Sequence, residues 1–232
     1  MRVVAVIPAR FGSTRLPGKP LAEIHGKPMI QWVYERVSLA RGLDAVYVAT
    51  DDQRVVSAVE SFGGQVLMTA STLQSGTDRV AAVAERVSAE IYVNVQGDEP
   101  LMEPLAIERA VALVKSGQFS MATVMTPFKD PVELNNPAAV KVVVDHRGRA
   151  LYFSRLPIPA CRRHVGLYVY TRETLFKFRG LSPSRLELAE SLEQLRALEA
   201  GIEIGTVELD FQSIGVDTPA ELEKVRTIMG NH

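Results

Sequence analysis

The chain has 232 residues, 47% apolar and 23% charged, which suits one large α/β domain or two small ones and excludes a predominantly disordered chain. Its 26 Lys and Arg against 27 Asp and Glu leave a net charge of −1, which argues against a nucleic-acid or membrane-surface binder working through bulk charge. A single cysteine, Cys161, excludes a disulfide framework and a cysteine-rich zinc site, and it fits a reducing, cytoplasmic setting.

Apolar periodicity sets the elements in chain order. Val3 to Ile7 is a continuous apolar run, as expected of a strand covered on both faces, and it stops at Pro8, too short for a signal peptide or a membrane span. The spacing of Met29, Ile30, Val33 and Val37 predicts a helix over roughly 28–40. A strand at 45–49 leads to Asp52, the expected cap of a helix carrying Val55, Val56 and Val59. A short strand at 65–68, a helix at 78–88, a buried strand at 91–95 and a helix at about 103–116 follow. The middle of the chain changes to strands at 121–125, 140–144, 150–153 and 165–170, with Asp145-His146-Arg147-Gly148 a turn between two of them. A helix at 190–200, a strand at 202–209 and a helix at 218–229 opening on Thr218-Pro219 complete the pattern. No internal repeat or linker shows. The expectation is one α/β domain spanning 1–232, with a mainly parallel central sheet and a small antiparallel lobe inserted at roughly 119–170.

Open α/β sheets bind ligands at the carboxyl ends of their strands. The loop after the first strand, Pro8 to Pro20, places Arg10, Arg15 and Lys19 among two glycines and no acid, a charge concentration suited to a polyphosphate. It is not a P-loop, because five residues separate Gly12 from Gly18 and Pro20 follows Lys19 where a hydroxyl is needed. No GxGxxG occurs, which speaks against a dinucleotide-binding oxidoreductase. Thr72 to Arg79 is a polar turn into a helix, with Thr77 or Asp78 the expected N-cap and free N–H groups facing any oxygen-rich ligand. Val93-Asn94-Val95-Gln96-Gly97-Asp98-Glu99-Pro100 ends a buried strand in an amide and two acids, where a carboxylate can hold a divalent cation over a triphosphate. Adjacent strand-end residues point apart, so Asp98 and Glu99 are not expected to share an ion. Asp217 has two readings, a plain helix N-cap or a partner of that site.

Alternation over 164–170 sets Val165, Leu167 and Val169 toward the core and His164, Gly166, Tyr168 and Tyr170 on the other face, a platform suited to a sugar. Arg155, after Tyr152-Phe153, is placed to fork a carboxylate. Along 190–200, Leu192, Leu195 and Leu198 form the expected buried stripe, leaving Ser191, Glu193 and Gln194 off it.

Ile7-Pro8-Ala9-Arg10 and Gly12-Ser13-Thr14-Arg15-Leu16-Pro17-Gly18-Lys19-Pro20-Leu21 resemble the opening signature of sugar nucleotidyltransferases that make CMP-activated acid sugars. Ser75-Gly76-Thr77-Asp78-Arg79, Gln96-Gly97-Asp98-Glu99-Pro100, Val216-Asp217-Thr218-Pro219, Ala150 to Arg155, His164 to Tyr168 and Glu190 to Arg196 resemble segments of the CMP-KDO synthetase family, in family order. The resemblance implies a Rossmann-like three-layer fold of the nucleotide-diphospho-sugar transferase kind. It implies that Arg10, Arg15 and Lys19 hold the phosphates of CTP, that backbone at Pro8 and Ala9 reads cytosine, and that Gln74, Ser75, Gly76 and Arg79 lie against base and ribose. It implies Mg2+ held by Asp98 and Asp217, with Lys19 and Arg15 completing the catalytic group. The acid-sugar contacts it implies are Arg79, Gln96, Pro100, Arg155, His164, Tyr168, Ser191, Glu193 and Gln194. A homodimer is implied as well. One departure stands out: only Ala160, Cys161, Arg162 and Arg163 separate Pro159 from His164, where the family carries a longer segment.

The function so implied is in-line transfer of CMP from CTP to the eight-carbon acid sugar KDO, releasing pyrophosphate, for lipopolysaccharide biosynthesis. Related acid sugars, such as 8-amino-KDO or sialic acid, are the alternatives within the class. A non-catalytic nucleotide-sensing module is the alternative outside it, disfavoured because Lys19, Asp98 and Asp217 are all present.

Overall fold

The β-branched run at the start forms the buried strand that its composition requires: β1 (Val3–Pro8) has Val3 to Ile7 fully inaccessible. The computed structural model describes residues 1–13 and 15–230, so Thr14 of the first loop and the last two positions lie outside the described residues. Two compact units emerge, residues 1–108 joined by the chain from Gln212 onward, and Arg109–Phe211.

The first unit continues with a small hairpin, β2 (Glu23–Ile24) and β3 (Lys27–Pro28), turning at His25 and Gly26 with φ of 47° and 78°. Then come α1 (Met29–Ser38), β4 (Ala45–Thr50), α2 (Gln53–Ser61), β5 (Gln65–Met68), α3 (Gly76–Ala84) and β6 (Ile91–Val95). Asp52 caps α2 as expected, its carboxylate accepting from the Arg54 N–H at 2.9 Å. The strand order is β5-β4-β1-β6, and every pair is parallel. The carboxyl ends of β1, β4 and β6 therefore share one edge, and the loops starting at Ala9, Asp51 and Gln96 leave from it. α4 (Pro104–Lys115) carries the chain into the second unit.

The second unit holds β7 (Met121–Thr126), β8 (Lys141–Val144), β9 (Ala150–Ser154), β10 (Arg162–Thr171), α5 (Arg172–Arg179), α6 (Arg185–Glu190), α7 (Gln194–Glu199) and β11 (Ile204–Glu208). β10 runs antiparallel to β7, β11 parallel to it, and the β8–β9 hairpin turns through Asp145–Gly148 and lies against β10. The antiparallel strands expected at 119–170 thus belong to a larger unit with helices of its own. The connection between β9 and β10 turns at Ala160, which lies in the left-handed region at φ 55°.

The helix expected over 190–200 is broken. α6 ends at Ser191, which takes a left-handed conformation (φ 53°, ψ 47°), and α7 starts afresh after Glu193. Leu192, Leu195 and Ala197 are buried rather than Leu192, Leu195 and Leu198, and Gln194 is buried with them, not off the stripe.

The chain returns to the first unit as α8 (Pro219–Gly230). Ile214, Val216, Leu222 and Val225 pack there on Ile24 and Met29, with Leu16 of the first loop against the same cluster. Among the described residues no helix is long and apolar enough to cross a membrane.

Candidate active site

The loops leaving β1 and β6 are pressed together. Gly97 donates its N–H to the Pro8 carbonyl at 3.2 Å, and a Cβ on Gly97 would stand 2.7 Å from that same oxygen, so only glycine fits. The Phe11 N–H donates to Asp51 Oδ1 at 3.2 Å, and the Arg54 guanidinium covers the Phe11 ring 3.5 Å from its centroid. Gly18, left-handed at φ 68°, opens the short turn Lys19–Leu21. A loop rich in cations is thereby fixed at Phe11, Leu16 and Gly18, and Arg10, Arg15 and Lys19 are presented between these anchors.

The two acids arrive from segments far apart in sequence. Val216 donates its N–H to the Asp98 carbonyl at 2.9 Å, and buried Ser213 donates its hydroxyl to Glu99 Oε2 at 2.6 Å. Glu99 is thus engaged by Ser213, while Asp98 is engaged by Lys19. Asp217 is not the helix cap. Thr218 caps α8, its hydroxyl accepting from the Glu221 N–H at 3.3 Å, while Glu221 Oε2 accepts from the N–H groups of Asp217 and Thr218 at 2.8 and 2.9 Å. The Asp217 carboxylate is left for the site. Lys19 Nζ donates to Asp98 Oδ2 at 2.5 Å and to Asp217 Oδ1 at 2.9 Å, and Arg15 Nη2 to Asp217 Oδ2 at 2.8 Å. Burial pulls the Lys19 ammonium down, but Asp98 and Asp217 outweigh it and the group is held above its ordinary value. Burial likewise pushes Asp217 up, and Lys19 with Arg15 more than reverses this, so its carboxyl lies low.

The turn before α3 is capped by Ser75, not by Thr77 or Asp78. The Ser75 hydroxyl accepts from the Asp78 N–H and the Asp78 carboxylate accepts from the Ser75 N–H, both at 3.1 Å. Arg79 is almost fully buried, donating to Asp51 Oδ2 and Thr69 Oγ1 at 2.7 Å each. Asp51 therefore holds both the first loop and the buried arginine, a role the sequence reading did not assign. Gln96 Nε2 donates to Asn94 Oδ1 at 3.1 Å beside Gly76.

These groups line one cavity of about 290 Å³ in the first unit. Pro8, Ala9, Arg10, Arg15, Lys19, Gln74, Ser75, Gly76, Arg79, Gln96, Asp98 and Asp217 all reach it, together with Ser13, Pro20 and Gly97, which sequence reasoning did not single out for this site. Pro100 is buried and does not line it. Asp98 and Asp217 share one ammonium, so both carboxylates come within reach of a single cation. Two hard carboxylate oxygens are the donor type from which Mg2+ takes one or two ligands, leaving the rest to water and phosphate oxygens. Among the described residues no group of three His, Cys, Asp or Glu that could hold a metal ion occurs.

The remaining predicted positions lie in the second unit. The rings of His164, Tyr168 and Tyr170 follow one another, with centroids 5.4 Å apart for the first pair and 6.1 Å for the second, and Phe153 meets His164 edge-on at 5.0 Å. The expected alternation does not hold to its end: the β10–β7 register shifts between Val165 and Tyr168, and Tyr170 is buried against Phe178 and not on an open platform. His164 Nε2 pairs with the Thr123 hydroxyl at 2.9 Å, and burial pulls the imidazole down to about 3. Burial, then Tyr170 and Glu193, push the Tyr168 phenol well above its ordinary value.

Arg155 is not free to fork a carboxylate. Its guanidinium donates to the carbonyls of Glu190, Pro137 and Ser191 at 2.9, 3.0 and 3.2 Å, a clamp across the end of α6. Glu193 pairs with Arg196 at 3.2 Å. Buried Gln194 leaves Nε2 without a partner, and Ser191 is exposed.

An α/β sheet whose strand ends present a pinned cationic loop beside two carboxylates is the layout of a nucleotidyltransferase. Comparison with known proteins narrows this. A family model described as cytidylyltransferase matches residues 4–204. The chain is 51% identical over 245 aligned positions to a 3-deoxy-manno-octulosonate cytidylyltransferase of Geobacter metallireducens, covering 97% of this chain and 96% of that one. It is 48% identical to an 8-amino-3,8-dideoxy-manno-octulosonate cytidylyltransferase of Shewanella pealeana, covering 96% of each. It is also similar to the solved structure of CMP:2-keto-3-deoxy-manno-octonic acid synthetase complexed with CTP, with a TM-score of 0.95, 48% identity and coverage of 100% and 99%. The chain belongs to the cytidylyltransferase family.

Proposed function

We propose that this protein activates KDO with CTP, giving CMP-KDO and pyrophosphate, for lipopolysaccharide biosynthesis. The observation that carries the reading is the convergence of Lys19, Arg15, Asp98 and Asp217 on one cavity at the carboxyl ends of β1 and β6. The sugar's anomeric oxygen attacks the α-phosphorus, the bond to the pyrophosphate oxygen breaks, and the proton of the attacking hydroxyl passes to solvent. The protein's work is to align the two substrates and to neutralise charge. Arg10, Arg15 and Lys19 counter the triphosphate and then the leaving pyrophosphate. The cramped contact of Gly97 with Pro8 keeps the wall of the cavity beside Ala9 in place. Asp98 and Asp217 would hold Mg2+, which when bound supplies charge neutralisation at the phosphates.

The test is CTP-dependent pyrophosphate release with KDO and Mg2+. Asp98→Asn is expected to lower turnover by about a thousandfold, a loss typical of one electrostatic group in a transition state, while CTP still binds. Near-full turnover of that variant would remove Asp98 from the metal site. A second acceptor, the 8-amino analogue of KDO, is favoured by the Shewanella relative, whose identity to this chain is nearly as high as that of the KDO relatives. Comparing kcat/KM for the two sugars at fixed CTP decides between them. The same reading takes the protein as a cytoplasmic homodimer, supported by the family resemblance and the lone cysteine, and sedimentation tests the oligomer.

A further inference from the structure

Lys19 stands where the reaction wants a metal ion. Its ammonium bridges Asp98 and Asp217 at 2.5 and 2.9 Å, its side chain is 16% exposed, and Arg15 takes the second oxygen of Asp217 at 2.8 Å. Building on the metal reading above, we propose that Lys19 is a built-in counter-ion holding the metal's place, so that the divalent cation enters with the nucleotide and not before it.

The argument is one of charge and reach. Val216 and Asp98 are tied backbone to backbone, which brings two carboxylates to a single point. Without a cation between them the carboxylates would repel, and the ammonium relieves this in the free protein. A dication cannot share that point with an ammonium at hydrogen-bond distance, because like charges so close in a half-buried site repel strongly. Lys19 must therefore leave before the metal binds.

The backbone does not need to move for this. The Lys19 main chain is fixed in the turn opened by Gly18, and only the four-carbon stem swings. Lys19 and Arg10 line the same cavity. A triphosphate there offers the ammonium several anionic oxygens in exchange for two. Nucleotide binding thus draws Lys19 off the acids and uncovers them, and the lysine that excluded the metal becomes a phosphate ligand. Linkage makes the effect mutual: CTP raises metal affinity and metal raises CTP affinity by the same factor.

Mn2+ is the probe, with free ion measured by electron paramagnetic resonance and no nucleotide present. Lys19→Met is expected to bind Mn2+ tighter than wild type by roughly ten- to a hundredfold. Lys19→Gln should shift the same way, and Lys19→Arg, which keeps the charge, should not. Adding Asp98→Asn to Lys19→Met should abolish the gain. Melting temperatures confirm that each protein compared is folded. The proposal is overturned if neither neutral variant binds Mn2+ tighter than wild type, if the gain survives Asp98→Asn, or if wild type binds Mn2+ as tightly without CTP as with it. A separate arm tests the underlying reading: with CTP bound, Asp98→Asn should lose Mn2+ affinity relative to wild type. Retention there rejects the metal site itself. Loss there, without a gain in the neutral Lys19 variants, rejects only the placeholder.

Discussion

Gly97→Ala puts a methyl group 2.7 Å from the Pro8 carbonyl oxygen. Tolerable contact begins near 3.0 Å and ordinary contact at 3.4 Å, so the two loops must part by about 0.3 to 0.7 Å. The oxygen belongs to main chain that also receives the Gly97 N–H, and Ala9 next to it donates to the Ala49 carbonyl at 2.8 Å, so no flexible side chain absorbs the shift. Overpacking of this kind costs about 1–3 kcal/mol, which for a chain of this size lowers Tm by roughly 2–12 °C. The functional loss should exceed what that cost implies, because Asp98 follows Gly97 directly and sub-ångström displacement of a positioned group lowers rate by about ten- to a hundredfold. Pyrophosphate release at saturating CTP and sugar reads the rate, and thermal denaturation reads the stability. Gly12→Ala is the control in the same cavity's loop, since nothing lies within 4 Å of a Cβ there. If Gly97→Ala kept its Tm and stayed within twofold of wild-type turnover, the close approach of the loops would not be what aligns Asp98.

Asp51→Ala strands the buried Arg79 guanidinium and frees the Phe11 N–H; we expect a loss on the order of 2–4 kcal/mol in urea denaturation and a raised KM for CTP, and an unchanged urea midpoint would contradict the clamp. Glu221→Ala removes the acceptor of the Asp217 and Thr218 N–H groups; about 1 kcal/mol of stability and severalfold in kcat should go, with CTP affinity within twofold by calorimetry. His164, held to about 3 in the fold against 6.5 unfolded, binds its proton only in the unfolded chain between those values, so stability falls as pH drops through that window by up to about 1.4 kcal/mol per pH unit. Urea midpoints across that range should show a shallower acid slope for His164→Gln; an identical slope would remove His164 from the account.

The strands and the first cavity were legible because their signals are local. A continuous β-branched run such as Val3 to Ile7 has one stable use, and the glycines and cations of the first loop sit next to it in sequence. What escaped depended on geometry or on a residue acting against type. The stop after α6 is made by serine in a conformation usually given to glycine, so Leu192 and Leu195 read on as one helix. α5 offers only Leu175, Phe176 and Phe178, too few for periodicity to register. Three capping residues compete before α3 and two before α8, and only the structure shows that Ser75 and Thr218 win. Arg155 carries a charge suited to a ligand but is consumed by three carbonyls. Asp51 belongs to none of the motifs named in the sequence, and its value lies in what Arg79 and Phe11 bring to it.

The backbone tie between Val216 and Asp98 also has a bearing on how the protein matures. The acids it joins belong to one compact unit, yet that unit is interrupted by the whole of Arg109–Phe211. Closing such a loop is entropically costly and comes late among folding events. Until the returning segment settles beside β6, neither the tie from Val216 to Asp98 nor the packing of Leu16 on the cluster of Ile214 and Val216 is in place, and Lys19 has no second acid to bridge. The cluster of Lys19, Asp98 and Asp217 is therefore assembled only when the two ends of the first unit have met.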